Sequence, residues 1–198
     1  MLVLDAEMSG LEPTLHSVVS LGAIDFEHPE RRLYEECRVW DGAKVEDEAL
    51  AVNGYSLAQI TDPTKQTEGE LVRKLIAFAE GMADITFAGQ NVYVDLYFLQ
   101  AAARRAGHTA WPFAHRIVDI HTLAWEHMVK RGLTPPVNVE KRHSALNLQA
   151  ACMYCGIPEE PKPHNALSGA KVSAEVVSRL LYDKKLLPEF EKYEIPWL

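Results

Sequence analysis

The order of the hydrophobic periodicities is what most limits the fold. Three β-rich runs come first: MLVLDAE (1–7), HSVVSLGAIDF (16–26) and RLYEECRVW (32–40), with EHPE between the last two as a hairpin turn. Helical and strand-like runs then alternate. Residues 67–81 repeat at helical spacing, with Leu71, Leu75, Phe78 and Ala79 on one face. Residues 84–89 read as a short strand, 94–107 as a helix ending on glycine, 116–120 as a strand, and a helix follows from His121 to about Arg131. Residues 41–67 read as irregular, 131–145 as a proline-broken, locally basic loop, 145–156 as helix and EEPKP (159–163) as a rigid connector. A last helix spans Asn165 to Asp183. The pattern specifies one α/β domain over 1–183 with a mixed sheet, and a frayed tail over 184–198, packed on or extending from the domain.

Composition narrows the class. The chain carries 20 basic and 28 acidic residues, a net charge of −8, which excludes a general basic coat for nucleic acid. It does not exclude a nucleic-acid enzyme, because a site of carboxylates and divalent cations is acidic by construction. No apolar run is long enough to cross a membrane and the N-terminus has no basic region ahead of an apolar one, so a cytoplasmic protein without a membrane partner is expected. Three cysteines fit a reducing compartment. Cys152 and Cys155 form a C-x-x-C, but no second ligand pair accompanies them, so packing cysteines are expected rather than a zinc or redox site.

Asp5 and Glu7 end the first apolar strand. Alternation puts both on one face, so they repel unless they reach solvent or share a cation. Asp95 shares a helical stripe with Phe98, Leu99 and Ala102, a face expected to be buried, where an unpaired carboxylate costs several kcal/mol. A helix-start acid stabilised by the macrodipole is the plainer reading. His164 directly precedes the last helix, placed to project into a crevice. Converging carboxylates select magnesium or manganese, two such ions can activate water on a phosphodiester, and a histidine can take the proton.

Three motifs in order, LDAEMSGLEP (4–13), GQNVYVDLYFL (89–99) and PHNALSGAKVSAEVV (163–177), resemble those of the DEDDh 3′–5′ exonucleases. The resemblance covers residues 1 to about 183. It implies a ribonuclease-H-like fold, a five-stranded mixed sheet flanked by helices. It implies hydrolysis of single-stranded DNA or RNA from a free 3′ end, releasing nucleoside 5′-monophosphates with two Mg2+ or Mn2+ ions. Asp5, Glu7 and Asp95 correspond to metal ligands and His164 to the general base. Met8, Ser9, Gly10 and Leu11 correspond to the cradle of the terminal nucleotide, with Gly10 admitting the backbone and Leu11 wedging against the base. Asn91 and Phe98 are the usual neighbours of the second-motif aspartate. Several small relatives are dimers, so a homodimer is a weak expectation. Asp119 reads as a helix cap first.

One departure stands out. The third motif places an aspartate five residues after its histidine, and here that position is Gly169. Glycine within a helix costs about 1 kcal/mol relative to alanine, so it marks either a vacated ligand position or close helix packing. Neither Glu175 nor Asp183 is placed to replace the acid. A weakened metal site and impaired activity are therefore expected, in an inactivated variant or in a member that has drifted toward binding. A catalytically silent nucleic-acid-binding module of the same fold is the competing function, though Asp5, Glu7, Asp95 and His164 all remain. A phosphatase of another α/β class lacks its phosphate-cradling glycine loop. Arg104, Arg105, Lys130, Arg131, Lys141, Arg142 and His143 are candidate phosphate contacts, and Trp40, Trp111, Trp125 and Tyr93 candidate stacking residues.

Overall fold

A computed structural model describes residues 1–198. Strands β1 (Leu2–Met8), β2 (Val18–Asp25), β3 (Arg32–Glu36), β4 (Phe87–Gly89) and β5 (Ile117–Asp119) form one sheet in the order β3-β2-β1-β4-β5. The first three pair antiparallel, and β1–β4 and β4–β5 pair parallel. The sheet is the five-stranded mixed one implied by the motifs.

Helices cover both faces, and the alternation of β1 sorts its side chains between them. Leu2, Leu4 and Ala6 face a core with α3 (Glu68–Ala79) and α4 (Tyr93–Arg105). Met1 and Val3 face the other core, built with α5 (Ile120–Lys130), α6 (Leu148–Tyr154) and α7 (Ala166–Tyr182). Asp5 and Glu7 continue the second face toward the strand end.

Several segments differ from expectation. Residues 41–67 hold two short helices, α1 (Asp47–Asn53) and α2 (Leu57–Ile60), the latter with a reciprocal Ser56–Gln59 capping box. The loop after α5 contains a small hairpin of β6 (Val137–Asn138) and β7 (His143–Ser144). The helix expected over 145–156 begins only at Leu148, where the Asn147 side chain accepts from Ala150 N. The tail is not frayed. It makes a 3-10 turn (Pro188–Phe190) and buries Leu187, Phe190 and Ile195. Cys37, Cys152 and Cys155 are free and buried, and burial pushes the Cys152 thiol up to about 12, as packing cysteines require.

Candidate active site

The carboxyl ends of the parallel strands form the site, the usual place for a ligand in an open α/β sheet. Asp5 and Glu7 arrive from β1, and the register of β1 against β2 shifts just after Glu7. Asp95 comes from the first turn of α4 and is buried beside Phe98 and Leu99. Its Oδ1 accepts the Ala6 N–H at 2.9 Å, which ties the start of α4 to the end of β1. Asp119, at the end of β5, caps α5 by accepting from His121 N, while its Oδ2 is buried without a donor.

Helix α7 closes the site from the other side. Asn165 caps it, accepting from Leu167 N and Ser168 N, and donates its own amide to the Tyr34 hydroxyl on β3. His164, just outside the cap, donates its backbone N–H to Val52 O at the end of α1, so the short helix that was not expected fixes the histidine's position. Gly169 lies in the first turns of α7 and faces Asp5. A Cβ built on Gly169 would collide with the Asp5 carboxylate, lying 2.7 Å from its Cγ. Close packing against Asp5 is therefore one physical reason for glycine here. Glu175 is remote from this point: it pairs with Arg179 inside the core.

A fourth carboxylate appears that the sequence reading treated as part of a connector. Glu160 accepts the Asn165 N–H on Oε1 at 2.8 Å, and its Oε2 lies 3.7 Å from His164 Nδ1. Its side chain is 7% exposed. With Gln90 and His164 it lines a cavity of about 360 Å3 at the start of α7. The signal available in the sequence was an acid one helical turn before the histidine, between prolines.

Burial and mutual repulsion favour the protonated form of each of these carboxyls. Burial, then Asp95, Glu7 and Glu160, hold the Asp5 carboxyl well above the usual range. Burial and then Glu160 push Glu7 up to about 7. Burial pushes Asp95 up to about 8 despite its backbone hydrogen bonds. Burial also raises Glu160, against the pull of the Asn165 N–H and His164. No three of these groups are gathered closely enough about a single point to hold a metal ion. All the donors are hard carboxylate oxygens, and no lysine or arginine neutralises Asp5 or Glu7. That donor set fits magnesium or manganese.

The exonuclease family model named for RNase T matches residues 2–177. The chain belongs to this DEDDh 3′–5′ exonuclease family. By that membership it is an exonuclease. Ribonuclease T of Yersinia enterocolitica is 27% identical over 201 residues, covering 89% of this chain and 84% of the relative. The nuclease domain of 3′hExo, a DEDDh member bound to rAMP, superposes with a TM-score of 0.69 at 16% identity over 94% of this chain and 93% of that one. Escherichia coli Exonuclease I in complex with a dA16 oligonucleotide superposes at 0.65 and 15% identity, over 92% of this chain. The chain spans only 40% of Exonuclease I's length, and these two likenesses bear on the fold.

Within the exonuclease fold, the residues expected to cradle a nucleotide divide. Leu11 is 85% exposed and Met8 half-buried, so both can face a ligand. Ser9 cannot offer its polar groups. Its hydroxyl donates to Lys44 O and accepts from Ser17 N, its N–H donates to Ser17 O, and its carbonyl accepts from Glu46 N. At Gly10 the His16 ring fills the place a Cβ would take, so the packing itself requires glycine. Phe98 is wholly buried in the core. Asn91 is exposed in the left-handed conformation at φ 50° where β4 turns into α4.

The expected basic and aromatic contacts divide likewise. Arg105 is committed to buried Glu68 at 2.6 and 3.1 Å and stacks on Trp40, so neither is free for substrate. Trp111 packs edge-on against Phe113. Lys130 pairs with Glu126, and Arg131 lies over Trp197. Lys141, His143, Gln90 and Asn91 line a second cavity beside the site, and Tyr93 remains exposed.

Proposed function

We propose that the chain removes nucleoside 5′-monophosphates from the 3′ end of single-stranded nucleic acid, with His164 as general base. The observation that carries this reading is the neighbourhood of Asp5, Glu7 and Asp95 at the end of β1, where they raise one another's carboxyl pKa with no lysine or arginine to offset them. Asp5, Glu7 and Asp95 would hold Mg2+ or Mn2+, which activates water and stabilises the leaving oxygen when bound. The chain's own groups do the rest. Leu11, exposed at the mouth, bears on the terminal base. His164, half-buried beside Glu160, takes the water's proton at an imidazole nitrogen. Lys141 and His143 meet backbone phosphates. The rAMP in 3′hExo and the oligonucleotide in Exonuclease I support a nucleic-acid substrate. The likeness to Ribonuclease T favours trying RNA first.

The test is a digestion of 5′-labelled single-stranded RNA and DNA in Mn2+. The expected product is a ladder shortening from the 3′ end, abolished by EDTA and by H164A. Binding without any shortening would instead make the chain a silent nucleic-acid-binding module.

A further inference from the structure

Resting on that single-strand reading, we propose that the cavity between the start of α3 and the end of α4 is a second subsite, in which Arg38 and Arg73 hold a backbone phosphate of the strand a few nucleotides before its 3′ end. The cavity encloses about 370 Å3, and its lining sets Arg38, Arg73 and Arg105 against two acids, Asp41 and Glu68. In a chain of net charge −8, a polyanion is held where bases outnumber acids locally. Part of the lining is already neutral. Arg105 closes on Glu68 at 2.6 and 3.1 Å, and Glu68, 4% exposed, also accepts from the Ser17 hydroxyl. The rest is not. Arg73 is exposed on α3 and in no ion pair. Arg38 meets only Asp41, at 3.0 Å, and that carboxylate is 94% exposed, so the pair is weak and readily exchanged. Two guanidinium forks in one concave site suit a phosphate, whose oxygens accept from both.

The position of the cavity decides which phosphate reaches it. Arg105 also donates Nη1 to Pro13 O at 2.8 Å, and Pro13 is two residues from the exposed Leu11. Two residues span at most about 7 Å, so this wall of the cavity lies within about 12 Å of the Leu11 backbone. Trp40, another wall, donates Nε1 to His16 O in the same loop. A strand stacked at about 3.4 Å per nucleotide covers that gap in roughly three or four nucleotides. The phosphate under attack is excluded, because Asp95 and Arg105 are ten residues apart on α4, about 15 Å along its axis. Lys141 and His143 line their cavity with Gln90 and Asn91, at the opposite end of α4. They serve the reacting end of the strand, and Arg38 and Arg73 the part upstream.

The test measures kcat and KM in Mn2+ for a dinucleotide, too short to reach the cavity, and for a 12-mer. Wild type is compared with R38Q/R73Q, with D41N and with K184Q/K192Q, which removes two exposed charges from the tail. R38Q/R73Q should raise KM for the 12-mer about tenfold, with kcat and the dinucleotide unchanged. K184Q/K192Q should match wild type on both strands. D41N frees Arg38 and should lower KM for the 12-mer about two- to fivefold, a gain that misfolding cannot produce. A 12-mer KM that R38Q/R73Q leaves unchanged, or raises no more than K184Q/K192Q does, would overturn the proposal. So would an equal rise for both lengths, which would mark a site for a free anion or for the terminal nucleotide. A wild type that binds the 12-mer but cuts neither strand would sink the exonuclease reading instead. Fluorescence anisotropy of the labelled 12-mer in EDTA then decides the subsite, which requires weaker binding by R38Q/R73Q than by wild type. No binding by wild type would overturn both.

Discussion

Asp95 meets two opposed demands. Its Oδ1 must accept the Ala6 N–H that joins α4 to β1, yet its charge is buried against Glu7 and Asp119. Asparagine satisfies the first demand and relieves the second. D95N is therefore expected to melt several degrees higher than wild type in EDTA at pH 8, while Mn2+-dependent digestion falls by at least about a hundredfold. Equal or lower melting temperature in EDTA would show that the buried charge is already compensated. Such residues were legible in the sequence because each sits at the end of a regular element, where an acid on an apolar strand or stripe is conspicuous. Glu160 was not legible in this way. Its neighbours Asp5 and Glu7 are more than 150 positions away in sequence, and its aim depends on how the connector folds over α7. Ser9 and Gly10 show a related limit: motif position does not reveal their contacts with Ser17, Lys44 and His16.

Helix α7 joins the site to the C-terminal tail, and the joint is a single buried ion pair. Arg179, wholly buried, donates Nε to Glu175 Oε1 at 2.8 Å and its remaining nitrogens to the carbonyls of Cys155, Glu194, Phe190 and Tyr193. Glu175 Oε2 accepts Leu186 N and Leu187 N. Removing one partner of such a pair leaves the other charge buried, at about 3–5 kcal/mol. R179M should lower the unfolding free energy measured in urea by that amount and expose residues 184–198 to protease, with Mn2+ binding at saturating metal retained. A tail as resistant as wild type's would show that Leu187, Phe190 and Ile195 hold it unaided. From sequence this tail looked frayed, since its apolar residues are widely spaced among charges and the clamp that orders it lies on another element. The long helices and the sheet strands were legible from periodicity. Helices α1 and α2 were not, because segments of 7 and 4 residues have little periodicity and stand by capping and packing.

Across the molecule, acids outnumber bases, and the buried share of that excess sits where a polyanion would have to dock. The metal-free protein should feel this as a pH-dependent instability of definite sign. Glu7 is pushed up to about 7 and Asp95 up to about 8 in the folded chain, whereas the unfolded chain releases those protons near ordinary carboxylate values. Between those limits the folded state holds more protons than the unfolded one, so stability falls as pH rises. The ion-paired surface carboxylates, such as Glu36 and Glu189, are held below their usual range and add no slope above pH of about 5. His127, which partial burial keeps below the usual imidazole range, works the other way, but only in the lower part of the window. The melting temperature in EDTA should accordingly decline from pH 5 to pH 8. Saturating Mn2+ should raise it more at pH 8 than at pH 5, because only ionised carboxylates bind the cation and only their repulsion is relieved. Melting curves at the two pH values, with EDTA and with Mn2+, check both signs at once. A flat or rising profile in EDTA would mean that solvent or the backbone already stabilises the ionised cluster, and the case for a cation at Asp5, Glu7 and Asp95 would then lose its electrostatic ground.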